Sequence, residues 1–517
     1  MGRTTPVSSG SQSHGKVFLL GAGPGDSGLL TLKGKRCLEE ADVVVYDALA
    51  NPRLLQHAKP DAELIYVGKR AAQHTLPQEE IGRLLVERAK AGKMIARLKG
   101  GDPFIFGRGG EEAEDLVAAG VPFEVVPGVT AAMAVPAYAG IPLTHRDFTS
   151  TVAFVTGHED PTKEESGIAW DKIATGIGTL VFFMGVGQLP EIVEQLLRHG
   201  RSPETPAAVV RWGTRAEQEV VTGTLLDLPE KCRGMKPPAL IVVGEVVALR
   251  EKLRWVETKP LFGKRILVTR AREQASSFAQ ILEAEGAEVV EFPTIRIVSP
   301  ESWALLDTAI GQLREYQWVI FTSANGVRFF WERLLHAGKD LRDLFGITVC
   351  AIGPATAEAL LHLGVRADIV PAEFKAEALV EAIGSDHVSG ARILLARAAE
   401  VREVIPEELA RRGARVDVVP AYRTIRSTSD AAELQAMLRE GKIHAVTFTS
   451  SSTVKHFLDL VGEETAALLK GVIVASIGPI TAATAARHGI TSHIVPESYT
   501  IPDLAEALVS HFQRKDR

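Results

Sequence analysis

Two stretches of the C-terminal half follow one template 127 residues apart, and this duplication limits the possible folds more than any other feature of the chain. Ile266-Leu267 with Arg270-Ala271 returns as Ile393-Leu394 with Arg397-Ala398. Gly286-Ala287 returns as Gly413-Ala414, Pro293 as Pro420, and Phe321-Thr322-Ser323 as Phe448-Thr449-Ser450, all in one register. Gly353-Pro354 returns as Gly478-Pro479 with a two-residue slip, and both pairs open helical patterns that end at Gly364 and Gly489. Solenoid repeats run only about 20–50 residues. The period therefore predicts a duplicated α/β unit, two lobes with a ligand cleft at the carboxyl ends of their strands.

The N-terminal half has a different rhythm. KVFLLG, ADVVVYD, AELIYVG, KMIARLKG and FEVVPG read as buried strands, with TLKGKRCLEE and QEEIGRLLVERAKAG as helices between them. That alternation predicts an α/β layer on a largely parallel sheet. A second set follows Thr149: STVAFVTG, GTLVFFMG, AAVVRWG and PALIVVGEVV. Residues 16–257 are thus expected to form two α/β lobes, about 16–148 and 149–257, with a cleft between them. VETKPLFG marks the boundary to a second domain at 264–517, with lobes of about 264–295 plus 425–517, and 297–420.

A net charge of −6 over 517 residues argues against a nucleic-acid binder. Cys37, Cys232 and Cys350 are too scattered for a zinc, iron–sulfur or disulfide framework. No metal is expected. No apolar run approaches the ~18 residues that span a bilayer, and the polar first residues lack a signal-peptide core. The expectation is a cytoplasmic protein without a membrane partner.

The run MIARLKGGDPFIFGRGGEE carries most of the functional information. Gly100 and Gly101 remove two Cβ atoms where a strand ends, which opens main-chain groups to a ligand. Pro103 stiffens the turn and aims the Asp102 carboxylate. Arg97, Lys99 and Arg108 are expected to make the surrounding surface positive. GAGPGDSGLLT after the first strand has G-x-G-x-G spacing, and Pro24 withholds a donor that a pyrophosphate cradle needs, so it is a poor dinucleotide site. Asp47 and Lys69 close two neighbouring strands, so both can reach one cleft, Asp47 as proton acceptor and Lys69, with Arg70, as donor or anion anchor. A surface ion pair is the plainer alternative. The segment Val126–Arg146, rich in small residues, reads as a loop and helix packed against a ligand.

GAGPGD, VVYDAL, YVGKR, RLKGGDPFIFGRGGEE, VPGVTAA, GIPLTHR, VTGH, FFMGV and VVRWGT occur in this order. Together they resemble the uroporphyrinogen-III C-methyltransferases, S-adenosylmethionine-dependent enzymes that make precorrin-2. The resemblance covers about Lys16 to Glu257 and implies a two-lobed fold with the cofactor in the inter-lobe cleft, usually in a homodimer. It places S-adenosylmethionine against Pro24, Gly100, Gly101, Asp102 and Ile105, with Thr130, Ala131, Met184 and Gly213 completing the site. It also assigns Asp47 as proton acceptor and Lys69 as donor. A carboxylate-rich substrate suits a basic rim of Lys69, Arg70, Arg108, Arg146 and Arg211.

In the duplicated half, WVIFTSANGVRFF and AVTFTSSSTVKHF each run strand, hydroxyls, helix. Thr322, Ser323, Thr449 and Ser450 are candidate anion-binding groups facing each other across a cleft, with simple N-capping as the alternative. These FTS and IGP segments, with VVPAYRT, resemble the uroporphyrinogen-III synthases over about Gly263 to Phe512. The resemblance implies two α/β lobes joined by a two-stranded connection, and cyclisation of hydroxymethylbilane with inversion of ring D. Tyr422 matches the family's tyrosine, either assisting departure of the hydroxyl or serving structure. The whole chain reads as a bifunctional tetrapyrrole enzyme. The alternatives are a methyltransferase for a later corrin precursor and a C-terminal module that binds tetrapyrroles without synthase activity.

Overall fold

The computed structural model describes residues 15–68, 76–158, 167–270, 272–373, 376–384, 388–399, 404–426, 431–462 and 464–515. The chain divides into two compact units. One runs to Lys264 and includes Leu282–Glu288; the other holds Arg265–Ile281 and Val289–Arg514.

In the first unit, β1 (Val17–Gly21), β2 (Val43–Tyr46), β3 (Glu63–Tyr66), β4 (Ile95–Lys99) and β5 (Phe123–Val126) form a sheet in the order β3-β2-β4-β1-β5. Every pairing is parallel. Alternate residues serve opposite faces, as strand geometry requires. Phe18 and Leu20 join Val44, Ala96 and Leu98 beneath α1 (Leu32–Glu40). Val17 and Leu19 join Val43, Val45 and Ile95 beneath α2 (Gln78–Lys90) and α3 (Gly109–Ala118). The chain leaves β1 towards β2 and leaves β4 towards β5, opposite directions from neighbouring strands. That is a topological switch point, where the loops diverge and leave a crevice.

The second lobe carries β6 (Val152–Thr156), β7 (Thr179–Phe183), β8 (Pro206–Arg211), β9 (Glu219–Thr224) and β10 (Ala239–Val243), in the order β6-β7-β10-β8-β9. Here the expected parallel sheet is corrected. Only β6 and β7 run parallel; the other pairings are antiparallel. The loop from β8 to β9, residues 212–218, has no crossover helix, so the chain returns as a hairpin. Strand β9 itself was not expected, because it lies at an edge and buries none of its residues fully. Helix α4 (Ala131–Tyr138) follows the first lobe but packs Ala132, Val135 and Ala139 against Val181, Ala208, Val210 and Leu240 of the second.

The second unit displays its duplication directly. β11 (Arg265–Val268), β12 (Glu288–Glu291), β18 (Ala445–Phe448) and β19 (Ile473–Ser476) form one sheet, ordered β12-β11-β18-β19. The other sheet holds β13 (Ile295–Val298), β14 (Trp318–Phe321), β15 (Thr348–Ala351), β16 (Arg392–Ala398) and β17 (Arg415–Arg426), ordered β13-β17-β16-β14-β15. The repeat-related strands thus occupy the same order twice, β12-β11-β18-β19 against β17-β16-β14-β15. Strand β13 is the addition: it pairs antiparallel with the far end of β17, Ile295 opposite Arg426. The duplicated two-lobed α/β class is the one the repeat predicted.

Candidate functional site

Three loops meet at the carboxyl edge of the first sheet, and glycine permits the meeting. After β1 and β4, Gly23 and Gly101 exchange backbone hydrogen bonds, Gly101 N to Gly23 O at 2.7 Å and Gly23 N to Gly101 O at 3.2 Å. A Cβ on Gly128, in the loop after β5, would lie 2.3 Å from Gly101 O and 2.6 Å from Gly21 Cα. Those neighbours are backbone and cannot step aside. Gly101 is different. Its φ of +70° demands glycine, yet the space its Cβ would enter is open, with Ala131 N the nearest atom at 3.8 Å. The opening lies beside the first turn of α4, where Thr130 caps the helix.

Asp102 braces this arrangement. Its two oxygens accept hydrogen bonds from Phe104 N at 2.8 Å and Gly128 N at 2.9 Å, so its carboxylate is directed at main chain. The Pro24 loop is gripped from both lobes. Asn51 Nδ2 donates to Gly25 O at 2.7 Å, Asp26 N donates to Thr214 Oγ1 at 3.1 Å, and Tyr138 Oη donates to Asp26 Oδ2 at 2.6 Å. Burial and this carboxylate push the Tyr138 phenol well above the ordinary tyrosine range.

The second lobe contributes Met184 (φ 55°) and the turn Trp212-Gly213-Thr214, whose two non-glycine residues have φ of 48° and 69°. Left-handed backbone at such residues costs about 1–2 kcal/mol each, and it gathers where function over-determines the chain. A Cβ on Gly213 would strike the Val135 side chain at 2.4 Å, so the turn sits directly on α4. Phe106 and Phe183 pack with ring centroids 5.0 Å apart, which brings the Ile105-Phe106 segment to the strand end preceding Met184. Ile105, Phe106 and Met184 remain exposed.

Asp47 follows β2 directly. Its Oδ1 accepts from Leu49 N at 3.0 Å, and Oδ2 lies 3.6 Å from Arg97 Nη1. A Cβ on Gly100 would meet Leu49 Cβ at 2.5 Å, so the Asp47 loop rests against the glycine pair. Lys69 and Arg70 lie outside the described residues.

The expected positive surface needs correction. Arg97 and Lys99 are buried, and both contact Glu112, which is fully buried. They alternate into the layer beneath α3 instead of out to solvent. Burial, and then the charge of Arg97, lowers the Lys99 ammonium from its usual range, with Glu112 opposing. Nothing in the spacing flagged Glu112, because a glutamate in the first turn of a helix reads as a solvated residue. Arg108 forms a bidentate pair with Glu111, and Arg211 stands 3.5 Å from Glu219, so each already has a carboxylate. Arg146 is exposed.

In the second unit, Ser323 and Ser450 occupy equivalent N-cap positions. Ser323 Oγ accepts from Gly326 N at 3.0 Å, and Ser450 Oγ accepts from Thr453 N at 3.2 Å. Capping, the plainer reading, is what both hydroxyls do. Thr322 and Thr449 precede them at strand ends, half-buried. Ser323 has a further partner: its Oγ lies 3.0 Å from Tyr422 Oη, and the buried Tyr422 ring stacks on Phe329 at 5.9 Å. Among the described residues, no three His, Cys, Asp or Glu side chains gather as a metal site, and no helix is long and apolar enough to cross a membrane.

Two family models match the chain, the tetrapyrrole (corrin/porphyrin) methylases over residues 16–229 and uroporphyrinogen-III synthase HemD over 276–506. The chain is 38% identical, over 96% of its length, to the porphyrin biosynthesis protein HemD of Ruminiclostridium josui, covering 98% of that protein. Over 47% of its length it is 55% identical to the S-adenosyl-L-methionine-dependent uroporphyrinogen III methyltransferase of Methanosarcina barkeri, covering 96% of it. Among solved structures, it is 44% identical to the uroporphyrin-III C-methyl transferase of Thermus thermophilus complexed with S-adenosylhomocysteine. That match covers 46% of this chain and 100% of the other, with a TM-score of 0.40.

Proposed function

Since the chain belongs to the tetrapyrrole methylases through its N-terminal half and to the uroporphyrinogen-III synthases through its C-terminal half, we propose that it carries out two consecutive steps. The synthase half closes hydroxymethylbilane to uroporphyrinogen III with inversion of ring D. The methyltransferase half then methylates that product at C2 and C7, giving precorrin-2. The product of one step is the substrate of the other, so their fusion is chemically coherent.

The observation that carries the reading is the junction of Gly21, Gly101 and Gly128, with the Asp47 loop packed against the adjoining Gly100. The open space beside Gly101, next to Thr130 and Ala131 at the start of α4, is where we place an elongated nucleoside cofactor, with Ile105, Met184 and Gly213 as further contacts. S-adenosylmethionine, when bound, supplies a methyl group made electrophilic by its sulfonium. Pro24, Gly100, Gly101 and Asp102 would hold it through the loops they shape. The protein's own contribution is alignment of the pyrrole carbon, which saves the entropy of a bimolecular encounter. Asp47 accepts a proton from the methylated macrocycle and Lys69 returns one, while Arg70, Arg108 and Arg146 grip substrate carboxylates, Arg108 by exchanging Glu111.

In the synthase half, water leaves the hydroxymethyl end of the bilane, and the enzyme's work is to fold the remaining cation so that ring D closes inverted. Tyr422 Oη, held by Ser323, assists the departing hydroxyl. Thr322, Thr449 and Ser450, with Ser323, face the substrate's carboxylates across the cleft. We also propose that the chain forms a homodimer through its methyltransferase half. Supplying hydroxymethylbilane with S-adenosylmethionine tests the whole scheme. It predicts a type III macrocycle carrying two added methyl groups. Formation of the type I isomer alone, or unmethylated product, contradicts it.

A further inference from the structure

Behind Asp47 lies a cluster of buried charge that the proposed reaction leaves unused. Arg97 and Lys99, two residues apart on β4 and so on one face, are 3% and 4% exposed; Glu112 on α3 is wholly buried. Donors converge on a single oxygen of Glu112: Lys99 Nζ at 2.7 Å, Gln78 Nε2 at 3.0 Å and Arg97 Nε at 3.2 Å all reach Oε1. Its Oε2 is also buried and has no hydrogen-bond partner among the described residues. Arg97 is divided. While Nε serves Glu112, Nη1 donates to Leu98 O at 3.2 Å and stands 3.6 Å from Asp47 Oδ2. Asp47 is the one member of the group open to solvent, with its side chain a quarter exposed.

The arrangement is costly for a merely structural device. Burying two cations and a carboxylate gains little over packed apolar side chains, and removing one partner strands the others. Two cations face two carboxylates, so the set is neutral only when Asp47 is ionised. The charge of Asp47 is therefore written into the cluster's balance.

We propose that Arg97 is a positioning residue for Asp47, holding its carboxylate oriented at the cleft, and that Glu112 and Lys99 fix the Arg97 side chain in the place from which it does so. This rests on the reading of Asp47 as proton acceptor. Other groups bear on the same loop: Tyr66 of β3 packs on Tyr46 at 5.4 Å, and Arg215 Nη2 of the second lobe donates to Leu49 O at 3.2 Å.

Kinetics of the full chain give the test. Arg97→Met lowers kcat for methyl transfer by about tenfold or more with the KM for S-adenosylmethionine unchanged, and Arg97→Lys, which keeps a cation in the interior if Arg97→Met does not fold, restores part of the rate. In an Asp47→Asn background Arg97→Met causes no further loss, because the group it positions is already gone. A normal kcat in Arg97→Met, or a loss of the same size in the presence and absence of the Asp47 carboxylate, overturns the proposal. Loss of methyl transfer in Asp47→Asn fails to appear only if the reading of Asp47 as proton acceptor is itself wrong, which separates the two failures.

Discussion

Strands β4 and β14 end alike, each at the carboxyl edge of a parallel arrangement and each followed by a helix, yet the loops beyond them use different chemistry. After β4 the chain places Gly100 and Gly101, and the loop is held by main-chain bonds and by the brace of Asp102. After β14 it places Thr322 and Ser323, and a hydroxyl caps the helix while touching Tyr422. A left-handed φ against an open space is work that only glycine does well. Ser, Thr, Asp and Asn are nearly interchangeable as caps. The first loop therefore writes a dense, readable motif and the second a soft one, although both follow a strand at the carboxyl edge of its sheet.

The contrast can be broken most severely at Gly128. Gly128→Val drives a side chain into two backbones, an overpacking of about 1–3 kcal/mol or more. Calorimetry should detect no S-adenosylmethionine binding, while type III macrocycle formation continues. Normal cofactor affinity in this variant would remove the cradle from the account. Asp47→Asn is the next largest effect: turnover of uroporphyrinogen III falls by about 10²–10⁴-fold, the worth of a positioned acid or base, with cofactor binding kept. In the synthase half the softer chemistry predicts a softer response. Tyr422→Phe loses one hydrogen bond, worth about 0.5–1.5 kcal/mol, and slows cyclisation by about 10-fold or less. Ser323→Ala loses the cap as well, so it lowers the melting temperature more than Tyr422→Phe does.

The smallest effect contrasts the two ends of β2. Asp42 accepts from Met94 N and from Lys59 Nζ, both at 2.9 Å, and the backbone bond first, then Lys59, hold its carboxyl below the usual range. A depressed carboxyl contributes stability above its unfolded pKa and loses it as the pH falls through the folded value. Asp42→Asn should therefore flatten the acid side of a melting-temperature profile slightly and leave methyl transfer unchanged.

Much of this was legible in the residues. The 127-residue register located two lobes because strand and turn requirements recur with the template, and the two sheets repeat one strand order. Gly101 was legible as a backbone demand, because its φ of +70° selects residue type. Charge placement was less so. Arg97 and Lys99 read as surface residues, since alternation along β4 alone does not say which face α3 will cover. Glu112 acquires its meaning only when that helix lands on them. The antiparallel second sheet escaped too, because short buried strands look the same in either direction and β9 is polar enough to pass for a loop.

The account stands on the backbone junction being the cofactor's seat, and a crystal structure of the chain with S-adenosylhomocysteine tests that directly. It predicts the ligand against Gly100–Asp102 and Thr130–Ala131, with Met184 and the Gly213 turn on its far side and the Asp47 carboxylate opening into the same crevice. A ligand bound elsewhere, or one separated from Asp47 by protein, contradicts it.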